Sequence, residues 1–250
     1  MNKLLNTLFA LSVACATSMA LAQAPAASAP AATPAPAAAP AAAAPAAPAA
    51  PAAQPASPKS LEAKTAMCYG CHNIVGYQAS FPEVYKVPKL GGQSAAYIAA
   101  ALKAYQGGER KHPTMRGIAT SLTDQDINDI AAFYEKQGTS AKPADKPSHE
   151  PDAQVAALLN KAACASCHGA NFSKPIAPNY PKIAGQHADY LFVALKSYKT
   201  ENNPAVGRSN GVMGAIAKQF SNAELKVLAK YVSSLDSELQ TVPEPKLHHH

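Results

Sequence analysis

The chain has 250 residues, with 22 Lys and Arg against 16 Asp and Glu and a formal net charge of +6 at pH 7. A positive balance can indicate an anionic partner such as nucleic acid, although it does not require one. The apolar stretch from Leu4 to Ala16 is too short to span a bilayer comfortably.

The N-terminal residues 1–22 have the features of a secretory signal. Lys3 supplies the positive start, and Ala20-Leu21-Ala22 provides a small-x-small cleavage site. Cys15 matches a lipidation site only poorly. We therefore expect an exported protein, associated with a membrane only if its N-terminus is uncleaved or lipidated.

Residues 23–57 consist almost entirely of Ala and Pro. Proline recurs too often for a helix to propagate, which overrules the helix propensity of alanine. The pattern predicts a disordered, polyproline-like linker without a core of its own. The segment is either a tail left after cleavage or a tether that lets the folded part search for partners, and the sequence favours neither.

Two segments further along, Cys68 to His72 and Cys164 to His168, both spell Cys-x-x-Cys-His. This is the attachment pattern of c-type haem, in which two thiols one helical turn apart form thioethers and the adjacent imidazole binds the iron. A Cys-x-x-Cys pair also occurs in redox dithiols, disulfides and zinc sites. Redox dithiols of the thioredoxin kind, however, occupy a strand-to-helix context that neither segment shows. A shared four-thiolate zinc site would not explain why a histidine follows each pair.

The motifs therefore predict two covalently bound haem c groups, attached at Cys68, Cys71, Cys164 and Cys167. His72 and His168 are the predicted proximal ligands of the two irons. Without Lys3 the net charge is +5, and four haem propionates would reduce it to about +1. We expect no nucleic-acid partner. Because c-type haem is attached after export, the periplasm is the expected location.

The two halves of the chain repeat each other well beyond these motifs. Residues 88–93 correspond to residues 181–186, and residues 122–133 to residues 220–231. In each half the sequence predicts a first helix that runs into the cysteines, a second helix, and a last helix with an apolar residue at every third position. The predicted starts of these helices are Ser60 and Asp152, Ser94 and His187, and Thr123 and Ser221. The pair Ser221 and Glu224 fits a capping box.

These patterns predict an all-α protein with two domains, each a few short helices around a haem. The expected domains are 58–138 and 153–240, joined by a Pro-rich linker at 139–152. Residues 241–250 form the expected tail, and His248 to His250 resemble the remains of a purification tag.

Met115 and Met213 are the candidates for the second axial ligand of each iron. They follow the two motifs at similar distances and fall in loops just before the last predicted helices. A thioether ligand would close the iron, favour Fe(II) and raise the reduction potential. Methionine more often fills a core, but the matched positions favour ligation. His112 and His187 are competing candidates, and His149 is expected to be a solvated linker residue.

The tandem motifs, the Pro-Lys-(Leu/Ile)-(Gly/Ala)-Gly-Gln segments and the late methionines together resemble the dihaem cytochrome c4 family of tandem class I cytochrome c domains. The resemblance covers about residues 58–238. It implies that the carbonyls of Pro88 and Pro181 orient the proximal imidazoles. The first half departs from the family pattern in the segment from Asn73 to Tyr85, so the resemblance implies neither the environment of the first haem nor equal potentials for the two haems.

The resemblance implies an electron carrier, not an enzyme, that moves single electrons from a cytochrome bc complex to a terminal oxidase. An alternative is the electron-accepting subunit of a dehydrogenase, such as a sulfide-oxidising flavoprotein. A third interpretation is a dihaem enzyme, either a peroxidase or a thiosulfate-oxidising enzyme, which would need an open iron or an unusual ligand. All four cysteines after the signal are already used by the attachment motifs.

Overall fold

The structure is a computed structural model that describes residues 60–138 and 145–243. The predicted signal peptide, the Ala/Pro-rich segment, the first part of the linker and the tag remnant lie outside the described residues. No helix among the described residues has the length and apolar character needed to cross a bilayer.

Short helices build both halves, and the strands of the described residues are only two residues long. In the first half the elements are α1 (Leu61–His72), β1 (Gln78–Ala79), β2 (Tyr85–Lys86), α2 (Ala95–Gly107), β3 (Arg110–Lys111), α3 (Pro113–Ala119) and α4 (Asp124–Lys136). In the second half they are α5 (Ala153–Ala162), α6 (Cys164–His168), α7 (Ala188–Ser197), β4 (Gly207–Arg208), α8 (Gly211–Ala217) and α9 (Asn222–Ser234). The predicted all-α fold is confirmed.

Local capping explains where the helices begin. The side chains of Ser60 and Asp152 accept hydrogen bonds from the third residue of α1 and α5. Capping boxes open both last helices, at Thr123 before α4 and at Ser221 before α9. The capping box at Ser221 was predicted from the sequence. At Thr123 the side chain of Asp126, although shorter than that of the usual glutamate, accepts a hydrogen bond from the Thr123 N–H, and the Thr123 hydroxyl accepts one from the Asp126 N–H.

The cores of the two halves lie between the second and the last helix of each. The apolar stripe of α4 buries Ile127 and Ile130 almost completely, and that of α9 does the same with Leu225 and Leu228. Phe133, also predicted on this stripe, is only half-buried, because Tyr134 takes the interior position.

The first helix behaves differently in the two halves. In the first half α1 runs without interruption through Cys68, Cys71 and His72, as predicted. In the second half α5 ends at Ala162, Ala163 adopts a left-handed conformation with φ 49°, and α6 starts afresh at Cys164. The expectation of a continuous helix is therefore wrong for the second half. An L-residue in this conformation is held there by its surroundings, because its intrinsic preference opposes it.

The described residues of both halves lie in one compact unit. The repeated Gln residues link them reciprocally. Gln93 donates to the carbonyl of Lys182 and accepts from its N–H, while Gln186 does the same with Lys89. In addition β3 pairs antiparallel with β4, with Arg110 opposite Arg208. The glutamine and lysine of the repeated segment thus make the same contacts from the first half to the second and from the second half to the first.

The segment after α9 passes over both copies of the repeated motif. A Cβ at Gly92 (φ 81°) would lie 2.6 Å from the Glu238 carbonyl oxygen, and one at Gly185 (φ 63°) would lie 2.4 Å from the Cβ of Ser237. Only glycine combines the positive φ with this close approach. Beyond this point Gln240 pairs with Gly91 through two backbone hydrogen bonds.

Candidate functional site

One cavity of about 720 Å³ extends through both halves. The predicted attachment and ligand residues all line it: Cys68, Cys71, His72 and Met115 from the first half, and Cys164, Cys167, His168 and Met213 from the second. Most of the remaining wall is apolar or aromatic, which favours a large apolar ligand.

In the first half the last turns of α1 carry Cys68, Cys71 and His72. Burial raises the pKa of the Cys68 thiol to about 11, although a hydrogen bond with Tyr134 works in the opposite direction. The Nδ1 atom of His72 lies 2.9 Å from the carbonyl oxygen of Pro88. Burial lowers the pKa of this imidazole, and the Pro88 carbonyl opposes that shift. The ring is therefore held neutral, with Nδ1–H donating to the carbonyl.

The second half repeats this arrangement on α6. His168 is buried, and its Nδ1 atom lies 2.9 Å from the carbonyl oxygen of Pro181. Burial lowers the pKa of His168 and raises the pKa of the Cys164 thiol. A neutral histidine whose Nδ1–H is engaged keeps its Nε2 lone pair for a metal, and the carbonyl fixes the ring orientation.

Met115 and Met213 do not lie in loops as expected, but in the first turns of the short helices α3 and α8. The caps explain these helices, since His112 Nδ1 accepts from the N–H of Met115 and Asn210 Oδ1 accepts from that of Met213. Asn is an ordinary helix cap, and Pro113 suits the first position of α3. Both methionines are half-buried.

The other histidines occupy different places. His112 lines the cavity as the cap of α3, while the described cavity wall does not include His187, which stands at the start of α7. His149 is exposed, as predicted for a linker residue, yet it is not free in solvent. Its ring packs edge-on against Tyr231, and its Nε2 atom lies 3.0 Å from the hydroxyl of Ser234.

Sequence reasoning missed two further cavity residues, Arg110 and Arg208. They align in the repeat, each two residues before the cap of a methionine-bearing helix, so this matched spacing was the available signal. What the sequence does not reveal is that β3 and β4 place them opposite each other.

These residues fit covalently bound haem c. Cys68, Cys71, Cys164 and Cys167 are all free thiols that face the cavity together with the two oriented imidazoles and the two thioethers. Within residues 60–138 and 145–243, no three His, Cys, Asp or Glu residues form a group that could hold a metal ion by themselves. The two cysteine pairs are thus not gathered into a shared four-thiolate zinc site.

Several known proteins are similar to this chain in sequence and in fold. The family model described as cytochrome c matches residues 59–137 and again residues 153–236. Cytochrome c4 of Pseudomonas aeruginosa is 30% identical over 181 residues, which cover 70% of this chain and 86% of the relative. A protein of Thiomonas intermedia named thiosulfate dehydrogenase electron acceptor is 28% identical over 187 residues, covering 72% of this chain and 83% of the relative.

Among solved structures, cytochrome c4 of Acidithiobacillus ferrooxidans matches this fold with a TM-score of 0.51 and 28% identity. The match covers 68% of this chain and 99% of that chain. The similarity therefore extends over both halves, including the order in which they follow each other.

Proposed function

The chain belongs to the dihaem cytochrome c4 family within the cytochromes c, and we propose that it passes single electrons between respiratory partners in the periplasm. As a member of that family it is a c-type electron carrier with two covalently bound haems.

The proposed attachment residues are Cys68 and Cys71 for the first haem and Cys164 and Cys167 for the second. His72 and Met115 would bind the first iron, and His168 and Met213 the second. The observation that carries this assignment is that all eight side chains line one cavity, in equivalent positions of the two halves. Bound haem supplies a one-electron couple at its iron.

The protein's own residues account for the rest of the chemistry. The carbonyls of Pro88 and Pro181 hold the imidazoles in one tautomer and one orientation, which raises their basicity as ligands. As iron ligands, the methionine thioethers would favour the reduced iron and would leave no coordination position for oxygen or peroxide. Apolar cavity walls exclude water and raise the potential further. This arrangement suits electron transfer rather than an enzyme reaction.

We propose a cytochrome bc complex as the electron donor and a terminal oxidase as the acceptor. A second candidate role is the electron acceptor of a dehydrogenase, which the name of the Thiomonas intermedia relative favours. A dihaem peroxidase or thiosulfate-oxidising enzyme is the minor alternative, because it would require an open iron. Rapid-mixing reduction by purified cytochrome bc complex or by purified thiosulfate dehydrogenase would distinguish the two carrier roles.

The deciding experiment is the visible spectrum of the ferrous protein with and without carbon monoxide, together with a haem count per chain. We expect two haems and no spectral change on adding the gas, because Met115 and Met213 would close both irons. A change in the spectrum of one haem would mean an open iron and would place the enzyme interpretation first. Fewer than two haems would contradict the assignment of the attachment cysteines.

A further inference from the structure

The two methionine-bearing helices are capped through the methionines themselves. Both α3 and α8 have only seven residues, too few to be stable in isolation, so their caps contribute much of what fixes them. In each helix the capped N–H belongs to the third residue, which is Met115 in α3 and Met213 in α8. Each cap bond therefore acts directly on the backbone of a proposed iron ligand.

The residues that cap the two helices differ in kind. The Oδ1 atom of Asn210, a common cap residue, lies 2.9 Å from the nitrogen of Met213. In the first half the Nδ1 atom of His112 lies 3.3 Å from the nitrogen of Met115. An imidazole nitrogen accepts a hydrogen bond only when it carries no proton, so the His112 ring is neutral with its proton on Nε2. The ring also extends further than an asparagine side chain and contacts a second segment.

This second contact is with Phe81, between β1 and β2. The Phe81 ring meets the His112 ring edge-on, with the two centroids 6.1 Å apart and the planes at 73°. Burial lowers the pKa of His112, and the backbone carbonyl of Phe81 opposes that shift. The buried Nε2 atom of His112 makes no hydrogen bond of ordinary length within residues 60–138 and 145–243. Packing against Phe81 therefore holds this side of the imidazole.

The segment that carries Phe81 is itself held in place. Its two strands pair antiparallel with each other, and Glu83 between them forms an ion pair with Lys196 of α7. The second half, in the part of the chain that the structure describes, has no strand before α7 and hence no equivalent hairpin. His112 thus stands between a short helix and a fixed segment, whereas Asn210 acts on its helix alone.

We propose that His112 is a positioning residue for Met115: its Nδ1 atom fixes the backbone of the ligand, and its ring transmits the support of the Phe81 segment to α3. This inference rests on the proposed function, because it requires Met115 to bind the first iron. A thioether favours ferrous over ferric iron, so the support should matter most in the oxidised protein. In the second half the support of Met213 is limited to the cap bond.

Imidazole added to the ferric protein with both haems attached measures how firmly each methionine is held. It binds an iron only after the methionine has left, so its apparent affinity rises with the open fraction of that haem. The NMR signals of the axial methionine methyl groups follow the two haems separately, and Met115→Ala assigns the signal of the first. His112→Phe keeps a packing ring but no acceptor, and it should lower the apparent Kd of the first haem about fivefold. The second haem should not change.

A double-mutant cycle tests the role of the ring. His112→Asn introduces the cap of the second half and should restore most of the hold on Met115 that His112→Phe loses. Phe81→Ala leaves the cap intact and should lower the apparent Kd of the first haem for imidazole about threefold. The same substitution in the His112→Asn background should have no effect, because the ring that transmits the contact is absent. This comparison stands even if His112→Phe fails to mature.

Two control variants separate positioning from general stability. Asn210→Ala removes the cap of α8 and should release Met213 about fivefold without affecting Met115. Ser60→Ala removes the same kind of cap bond from α1, which carries no methionine ligand. It should lower the free energy of unfolding and leave imidazole binding at both haems unchanged.

Three results would overturn the proposal. If His112→Phe leaves imidazole binding at the first haem unchanged, or changes both haems alike, His112 does not position Met115. If Phe81→Ala has the same effect in both backgrounds, Phe81 acts on the haem directly, and the link through the His112 ring is wrong. A missing Met115 methyl signal in the unmodified protein would instead contradict the ligand assignment, and with it the proposed function.

Discussion

The last helices of the two halves, α4 and α9, share their length, their capping box and their buried stripe, yet they present opposite charges to solvent. The exposed residues of α4 include Asp124 and Glu135, whereas those of α9 include Lys226 and Lys230. At the positions that cap the helix, local hydrogen bonds restrict the residue type, and at the positions that pack inside, the available core volume does so. Exposed positions have no such constraint, so the duplicated halves can differ there without any change of fold.

A second difference lies inside. Lys64 of α1 is buried in the first half and forms ion pairs with Asp126 and Asp129 of α4. Counting from the helix starts at Ser60 and Asp152, its counterpart is Ala156, and no lysine stands there. The first half therefore joins its first and last helices through charge, and the second half does so through apolar contacts among Val155, Leu158 and the side chains of α9.

The largest effect is expected from the methionines, and it tests whether the two halves are equivalent at the iron. Met115→Ala and Met213→Ala should each open one haem, so that each ferrous variant binds one carbon monoxide per chain and the double variant binds two. Met67→Ala is the matched control, because Met67 is exposed and outside the cavity wall. Binding of the gas to the control, or to neither single variant, would contradict the ligand assignment.

A smaller effect is expected at the paired glycines of the repeated motif. Gly92→Ala and Gly185→Ala should each lower the free energy of unfolding by about 3 kcal/mol, from the strain of positive φ and the overlap with the C-terminal segment. Gly117→Ala lies in α3 with no atom within 4 Å of the new Cβ and should stabilise slightly. Denaturant unfolding measures the free energy of unfolding of all three variants. Clearly unequal losses for Gly92→Ala and Gly185→Ala would show that the two contacts with the C-terminal segment are not energetically equivalent, although their geometry is similar.

The smallest effect concerns the acid stability of the first half. Hydrogen bonds from the backbone and hydroxyl of Thr123, and then from Lys64, lower the pKa of Asp126 to about 2. The unfolded carboxyl has its ordinary pKa of 3.8, so this contribution to stability is present above that pH and is lost as the pH falls toward 2.

Unfolding followed by circular dichroism between pH 4 and pH 2 should accordingly show a weaker pH dependence in Asp126→Asn. Asp236→Asn changes an exposed aspartate after α9 and provides the control. If the slope of stability against pH is the same in Asp126→Asn and the unmodified chain, the contribution of Asp126 has been assigned wrongly.

The sequence predicts features that depend on short-range physics. Helix starts at Ser60, Asp152 and Ser221 follow from a side chain that bonds to the backbone three residues later, and this signal is local. The break at Ala163 has no such signal, because neither glycine nor proline marks it and tertiary contacts hold the residue in place. Likewise α3 and α8 were missed because each has only seven residues, too few for an apolar period to show in the sequence.

The site shows the same division. The attachment motifs and the matched methionines are readable from spacing, and the structure gathers them around one cavity. Arg110 and Arg208 are separated by nearly a hundred residues, and only the pairing of β3 with β4 brings them together. Long-range pairing of two-residue strands leaves no periodicity in the sequence.

The segment after α9 has a consequence for how this protein matures. Its residues Gln240 and Val242 bond to Gly91 and to the side chain of Asn73, so that the last part of the chain completes the surroundings of the first half. A chain exported from its N-terminus would deliver this closing segment last. The first half should therefore reach its final stability only after the second half has been exported. A fragment that ends near residue 138 would lack these contacts and should be less stable than the same residues in the whole chain.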